Sequence, residues 1–340
     1  MIVLSLFDGY AGGLESLKRA GIKVDKYYAS EVDKYAIQIA MKNHPEMIHL
    51  GDVTKWREWD IGKPDVIIAG SPCQGFSFAG KQFNFNDERS KLFFDFVDIL
   101  KHYKPKYFLL ENVKMKKEYQ DVISKIIGVD PIEINSALVS AQNRKRLYWT
   151  NIIGVTQPED RGIFLKDIIE GNEMSVMAGR IVGRARVNGK RIDHKQSVAG
   201  ITNQELEINK NPQKTNTLST VSKDNVLVLK KVSKDICKKT KNYIQYDLNN
   251  TGNDSCDQRL YYKHTEKGRT LSANISSIIK VIEAEDGDYY YYRNFTVIEC
   301  ERLQTLPDNY TEGVSNTQRY KMLGNGFNIE TVTHILGSMK

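Results

Sequence analysis

Apolar residues follow two rhythms along the first 170 positions. Short unbroken runs at 1–7, 26–31, 65–70, 107–110 and 147–153 read as strands. Between them, apolar residues recur at helical spacing over 14–20, 35–42, 92–102 and 119–127, and Gly21 is a natural stop for the first of these helices. Strands alternating with helices predict a parallel sheet covered on both faces. After about residue 170 the alternation fails. Residues 172–267 are rich in Lys, Asn, Thr and Ser, with brief β-type runs such as Val226-Leu227-Val228-Leu229. Helical spacing returns at 297–306 and 329–336. The pattern predicts an α/β domain completed by the last helix, interrupted by a mostly β insertion. The expected divisions are 1–171, 172–290 and 291–340.

Composition leaves a globular protein, because 40% hydrophobic and 27% charged residues are near the averages for folded domains. No run approaches the ~20 apolar residues of a membrane span. The first seven residues lack a basic start and a cleavage site, so no signal peptide is read. Cys73, Cys237, Cys256 and Cys300 form no CxxC pair, which argues against a zinc ribbon or a disulfide framework and for a reducing compartment. The net charge of +7 is unevenly spread. Residues 1–171 carry 24 Lys/Arg against 23 Asp/Glu, residues 172–267 carry 18 against 10, and residues 268–340 carry 7 against 9. A neutral frame with a basic middle suits an enzyme body joined to a polyanion-binding part; a lysine-rich solvated surface is the equal alternative on charge alone.

Four motifs carry candidate chemistry. Phe7-Asp8-Gly9-Tyr10-Ala11-Gly12-Gly13 links a strand to a helix, where glycines let the backbone approach a cofactor, although a plain tight turn explains them equally well. Glu31, ending the second strand, is placed to accept both ribose hydroxyls of a nucleoside cofactor. Asp52, in His49-Leu50-Gly51-Asp52-Val53, follows a further strand ahead of the 65–70 run and suits an adenine amino group or, taken alone, an N-cap. In Gly70-Ser71-Pro72-Cys73-Gln74-Gly75-Phe76-Ser77, a cysteine sits on a turn past a buried strand, the edge where ligands bind in open α/β sheets. Such a thiol is a nucleophile candidate, whereas a lone cysteine is more often a small buried hydrophobe. Residues 74–91 lack periodicity and read as a lid.

Leu110-Glu111-Asn112-Val113 ends another strand; a carboxyl group there serves as a proton donor or simply as a cap. Gln142-Asn143-Arg144-Lys145-Arg146 places alternate arginines on one strand face, suited to a carbonyl oxygen and a phosphate, or to a solvated basic edge.

In this order the motifs closely resemble those of the DNA cytosine carbon-5 methyltransferases, over about residues 1–165 and 290–340. The resemblance extends to Arg293-Asn294-Phe295-Thr296-x-x-Glu299-x-x-Arg302-Leu303-Gln304-x-x-Pro307 and to Gly324-Asn325-Gly326. The first turn and the stretch from Phe295 to Thr311 resemble the de novo class, while Gly324-Asn325-Gly326-Phe327 is the bacterial and phage form. Ala11 departs from a common glycine, and Val32 stands where many members place an aromatic residue against adenine.

The resemblance implies a Rossmann-like S-adenosylmethionine-dependent domain with a smaller, mostly β target-recognition domain. It implies Cys73, Glu111, Arg144 and Arg146 as catalytic groups. It implies Phe7, Asp8, Gly9, Tyr10, Ala11, Gly12, Glu31, Val32, Asp52, Val53, Pro72, Leu92, Asn325 and Gly326 as cofactor-binding. Gln74, Ser77, Gln142, Arg144 and a basic segment with Arg180, Arg184, Arg186, Lys190 and Arg191 would meet DNA. No metal is implied. Double-stranded DNA is the expected partner of a cytoplasmic monomer with no membrane association, within a restriction–modification setting that can include a cognate endonuclease. Two alternatives remain: a tRNA cytosine methyltransferase, whose Cys-Phe-Thr signature is not found here, and a catalytically silent DNA-binding regulator.

Overall fold

The computed structural model describes residues 1–70, 88–170, 176–182, 186–187, 190–191, 205–218, 220, 225–232, 280–283 and 289–339. Its two compact units are Met1–Ile163 with Glu301–Lys340, and Phe164–Cys300. The sequence places these divisions at 171/172 and 290/291. The first unit ends sooner because the next residues bond forward: Leu165 N–H donates to the Gln213 carbonyl at 2.9 Å, and Glu170 N–H to the Glu299 carboxylate at 3.0 Å.

The first unit alternates strand and helix through β1 (Ile2–Leu6), α1 (Gly12–Arg19), β2 (Lys26–Ser30), α2 (Lys34–Asn43), β3 (Ile48–Gly51), β4 (Val66–Gly70), α3 (Glu88–Tyr103), β5 (Tyr107–Val113), α4 (Lys117–Ile127), β6 (Ile132–Asn135), β7 (Gln142–Asn143) and β8 (Lys145–Thr150). Seven strands form one sheet in the order β3-β2-β1-β4-β5-β8-β6. The first five are parallel, but β8 runs antiparallel to both β5 and β6. The expected parallel sheet is therefore mixed. Only residues 136–144 join β6 to β8, fewer than the dozen or more that a parallel crossover requires.

Side chains alternate across the central strands and split the core in two. Leu4, Leu6, Ile67, Ala69 and Leu110 pack with Phe93, Phe96 and Ile99 of α3. Val3, Ile68 and Leu109 pack with Leu14 and Leu17 of α1. That second layer is completed from the far end of the chain, which runs through α5 (Val297–Leu303), α6 (Asn316–Asn325) and α7 (Ile329–Leu336). Val332, Ile335 and Leu336 of α7 are fully buried in it. The helix expected over 297–306 stops at Leu303, and Thr305 takes a left-handed φ of 58°. Helix α6 was not anticipated, since Asn316–Asn325 is too polar to show helical periodicity. Strand β8 spans Lys145–Thr150 rather than 147–153, because Ile152 N–H turns back onto Thr150 Oγ1 at 3.1 Å.

The second unit holds an antiparallel sheet, β12-β9-β14-β16-β15, from β9 (Met177–Val182), β12 (Glu205–Ile208), β14 (Asn225–Val232), β15 (Lys280–Glu283) and β16 (Tyr289–Asn294). Leu206, Val226, Val228 and Tyr290 form its small core. A short pair, β10 (Arg186–Val187) with β11 (Lys190–Arg191), and β13 (Thr215–Asn216) also belong to these residues.

Candidate active site

The chain leaves β1 for β2 on one side and reaches β4 on the other, so the sheet changes direction between β1 and β4. In open α/β sheets ligands bind at that crevice, beyond the carboxyl ends of the strands. Both the Phe7–Gly13 motif and the Cys73 motif leave the sheet there, from Leu6 and Gly70. The first turn is strained in a regular way: Phe7, Gly9 and Ala11 take left-handed φ values of 57°, 61° and 65°. Such values cost a non-glycine residue about 1–2 kcal/mol each, and they persist where surrounding contacts over-determine them. The contacts are present. Asp8 N–H donates to the Ser30 carbonyl at 3.1 Å, and Gly9 N–H to Glu31 Oε2 at 2.9 Å. Glu31 Oε1 accepts from Val32 and Asp33 N–H at 2.7 and 2.8 Å. A single carboxylate thus ties the β1 turn to the end of β2.

Asp8 is buried, accepting the Tyr27 hydroxyl on Oδ1 at 2.6 Å. Burial raises its pKa to about 6, against the lowering effect of that bond. Tyr10 is also buried, with its hydroxyl donating to the Phe327 carbonyl at 2.6 Å. Its ring turns inward, away from the solvent edge of the turn. Ala11 and Gly12 are buried beside it, and Gly12 begins α1. Val32 is 70% exposed next to Glu31, an apolar side chain left at the ligand edge. Asp52 caps the 3-10 turn Val53–Glu58 through Thr54 N–H at 2.9 Å. Val53 belongs to the core beneath it, and Leu92 is half-buried against the same core.

Strand β5 continues through Val113, so Glu111 and Asn112 lie inside the strand rather than at its end. Register pairs Glu111 with Tyr148 and Val113 with Arg146, making Glu111 and Arg146 diagonal neighbours. Arg146 Nε meets Glu111 Oε1 at 2.9 Å, both side chains being about nine-tenths buried. Arg144 does not join them. Its guanidinium donates to the Gly326 carbonyl at 2.8 Å and to the Gly324 carbonyl at 3.4 Å, and burial together with the Arg146 charge pushes its pKa down to about 10. Arg144, expected at a phosphate and in catalysis, is 2% exposed and holds the Gly324-Asn325-Gly326 turn. Gln142 was expected at DNA, yet it is wholly buried, with neither amide atom bonded. Asn325 is exposed at the end of α6. A Cβ on Gly326 would lie 2.1 Å from the Tyr10 ring, so glycine is required where the two motifs meet.

Pro72, Cys73, Gln74, Ser77 and Arg184 lie outside the described residues, as does most of the expected lid. Arg186 is in β10, Lys190 and Arg191 in β11. Arg180 is committed to Glu207 through bonds of 2.7–2.9 Å. Two residues missed in the sequence support the turn, His44 and Tyr310; Tyr310 donates to the Tyr10 carbonyl at 2.9 Å. No local pattern marks them, because they meet across 266 positions. Among the described residues no cluster of metal-ligating side chains occurs, and no helix is long and apolar enough to cross a membrane.

A family model described as C-5 cytosine-specific DNA methylase matches residues 1–340. The orphan methyltransferase M.Rho11sI of Bacillus phage rho11s is 36% identical over 194 residues, 52% of this chain and 36% of that protein's own length. The type II methyltransferase M1.ScrFI of Lactococcus lactis subsp. cremoris is 29% identical across 99% of this chain and 77% of its own. M.HhaI of Haemophilus parahaemolyticus is 27% identical across 98% and 92%. Among solved structures, a Spodoptera frugiperda DNMT2 mutant aligns with a TM-score of 0.56 and 19% identity over 99% of this chain and 98% of that one, a likeness of fold.

Proposed function

The chain belongs to the C-5 cytosine-specific DNA methylase family, and from that premise we propose that it methylates carbon 5 of cytosine in double-stranded DNA, using S-adenosylmethionine. The observation that carries this reading is the Glu111–Arg146 pair, a carboxylate and a guanidinium side by side, each about nine-tenths buried, toward the carboxyl end of β5. A pyrimidine ring presents a nitrogen and a carbonyl oxygen at matching separation.

The residues at the β1 turn fit the nucleoside donor. Open space surrounds the position of a Cβ on Gly9, Glu31 marks the end of β2, and Val32 offers an uncovered apolar surface. Asp52 and Asn325 border the same edge in the proposed set, together with Phe7, Asp8, Val53, Leu92 and Gly326. S-Adenosylmethionine, when bound, supplies a methyl group carried on a cationic sulfur.

The Cys73 thiolate would add to carbon 6 of cytosine, forming a carbon–sulfur bond and breaking ring aromaticity. Glu111 would hold ring nitrogen 3 and Arg146 the ring carbonyl oxygen, so that charge developing on the ring is offset. Carbon 5 would then take the methyl group as the methyl–sulfur bond breaks, its electron pair leaving with the donor as a neutral thioether. The proton on carbon 5 leaves to water, and the carbon–sulfur bond breaks to return the thiolate. A base inside a duplex is inaccessible, so the target must flip out, at a cost of a few kcal/mol. Residues 172–290 would read the flanking sequence, with basic side chains on phosphates. The family setting extends to a cognate endonuclease as partner, with the enzyme a cytoplasmic monomer.

Purified protein offered matched DNA and tRNA with methyl-labelled donor should label DNA alone. Label in tRNA alone overturns the substrate assignment.

A further inference from the structure

Lys18 Nζ lies 2.8 Å from His44 Nδ1 and 2.8 Å from Glu46 Oε1. His44 Nε2 lies 3.0 Å from the Tyr310 hydroxyl, which donates to the Tyr10 carbonyl at 2.9 Å. His44 and Tyr310 are 3% and 7% exposed. An ammonium has three donors and no acceptor, so Nδ1 must accept. The ring is then neutral, with its proton on Nε2, and Nε2–H donates to Tyr310. Tyr310 has spent its oxygen as acceptor and points its own proton at Tyr10. Every bond in the series runs one way, from Lys18 to the turn.

The turn at its end is the one that takes three left-handed residues in five. The Tyr10 carbonyl sits between Gly9 and Ala11, and the Tyr10 ring meets Tyr310 edge-on at 5.9 Å. We propose that His44 is a positioning residue for the donor-binding turn: the chain Lys18–His44–Tyr310–Tyr10 holds Gly9-Tyr10-Ala11 in its strained conformation and so presets it for the nucleoside ligand. This rests on the reading of the turn as the S-adenosylmethionine loop.

The relay needs a neutral ring. Protonating Nδ1 sets it against Lys18 and removes the acceptor. The other charged groups facing the ring are Glu15, 3.9 Å from Nε2, and Glu46, 3.9 Å from Nδ1. They favour the charged ring, yet burial and Lys18 outweigh them and hold the imidazole below its usual range. The turn should therefore loosen in acid, and only below the range where an ordinary imidazole takes up its proton.

Two readouts test the proposal. Without ligand, the Asp8 and Gly9 amides, bonded to Ser30 and Glu31, should exchange about tenfold faster in His44→Ala and in Tyr310→Phe, the loss of one hydrogen bond. His44→Gln offers an acceptor and a donor in similar places and should restore slow exchange. In calorimetry, His44→Ala and Tyr310→Phe should weaken S-adenosylmethionine binding about tenfold with kcat at saturation little changed. On acidification the wild type should lose affinity more steeply than His44→Gln. Unchanged exchange in Tyr310→Phe, which preserves the packing, overturns the relay even if His44→Ala fails to fold. An identical acid loss in wild type and His44→Gln also overturns it. Failure of the wild type to bind S-adenosylmethionine sinks the functional reading instead, and the exchange rates still decide the relay.

Discussion

Glu111 and Arg146 stand two residues out of register on antiparallel neighbours, a geometry that lets two long side chains meet on one face. Glu111→Gln should keep donor binding but slow methyl transfer by about 10²-fold or more, the usual scale of a lost acid or charge-stabilising group. Single-turnover rates at saturating donor measure this. Asp8 makes a different prediction. Burial raises it from 3.8 to about 6, so the folded protein holds that proton more tightly than the unfolded chain does. Its contribution is complete below about pH 4 and is lost as pH rises through 6. Asp8→Asn removes the ionisation while keeping an oxygen for Tyr27. Wild-type stability relative to this variant should fall by about 2 kcal/mol between pH 4 and 7, read by urea unfolding. A difference that stays flat contradicts it. At residue scale the motif positions of Glu111, Arg146 and Glu31 were legible, because each follows an apolar run. The inward turn of Tyr10, Arg144 and Gln142 was not, since a polar type in a motif does not tell a ligand contact from a buried backbone clamp.

Helix α7 shows how an element's identity and its place separate. Its spacing was readable from Ile329 to Leu336, and Asn328 caps it by accepting Thr331 N–H at 3.1 Å. Its partner α1 lies more than 300 positions away; the apolar face shared with Leu14 and Leu17 joins them, with Arg19 on Glu330 at 3.1 Å and Thr333 Oγ1 on the Ser16 carbonyl at 3.3 Å at the margin. Ile335→Ala should cost about 2–5 kcal/mol, measured by denaturant unfolding, because the site is fully buried. Helix α5 carries a motif whose chemistry turns out to be internal. Arg293 grips Glu299 with two bonds of 2.7 Å, and Glu299 also accepts Thr296 N–H at 2.9 Å. Glu299→Ala would leave a buried guanidinium without its carboxylate, and a loss of about 3–5 kcal/mol is expected in the same assay. Strand direction was the weaker inference: alternating elements implied parallel strands, and the short 136–144 link reversed β8.

At the scale of the whole chain, the proposed DNA contact rests on charge. The excess falls between the catalytic motifs and the closing helices, and 172–267 holds 18 basic residues against 10 acidic. If those side chains meet phosphates, DNA affinity should fall about 10³-fold or more between 50 and 200 mM salt. A shallow salt slope would return the segment to an ordinary solvated surface. Arg180 already points to a limit, since Glu207 neutralises it. Composition counts charges without pairing them, which is why the count of basic residues overstates the cations available, while the excess over acids is untouched by such a pair. The most direct test of the account concerns Cys73. Bisulfite sequencing of DNA from cells expressing the wild type should show protected cytosines at one recurring short sequence, and none in cells expressing Cys73→Ala. The same protected sites with Cys73→Ala, or no protected sites with the folded wild type, would contradict it.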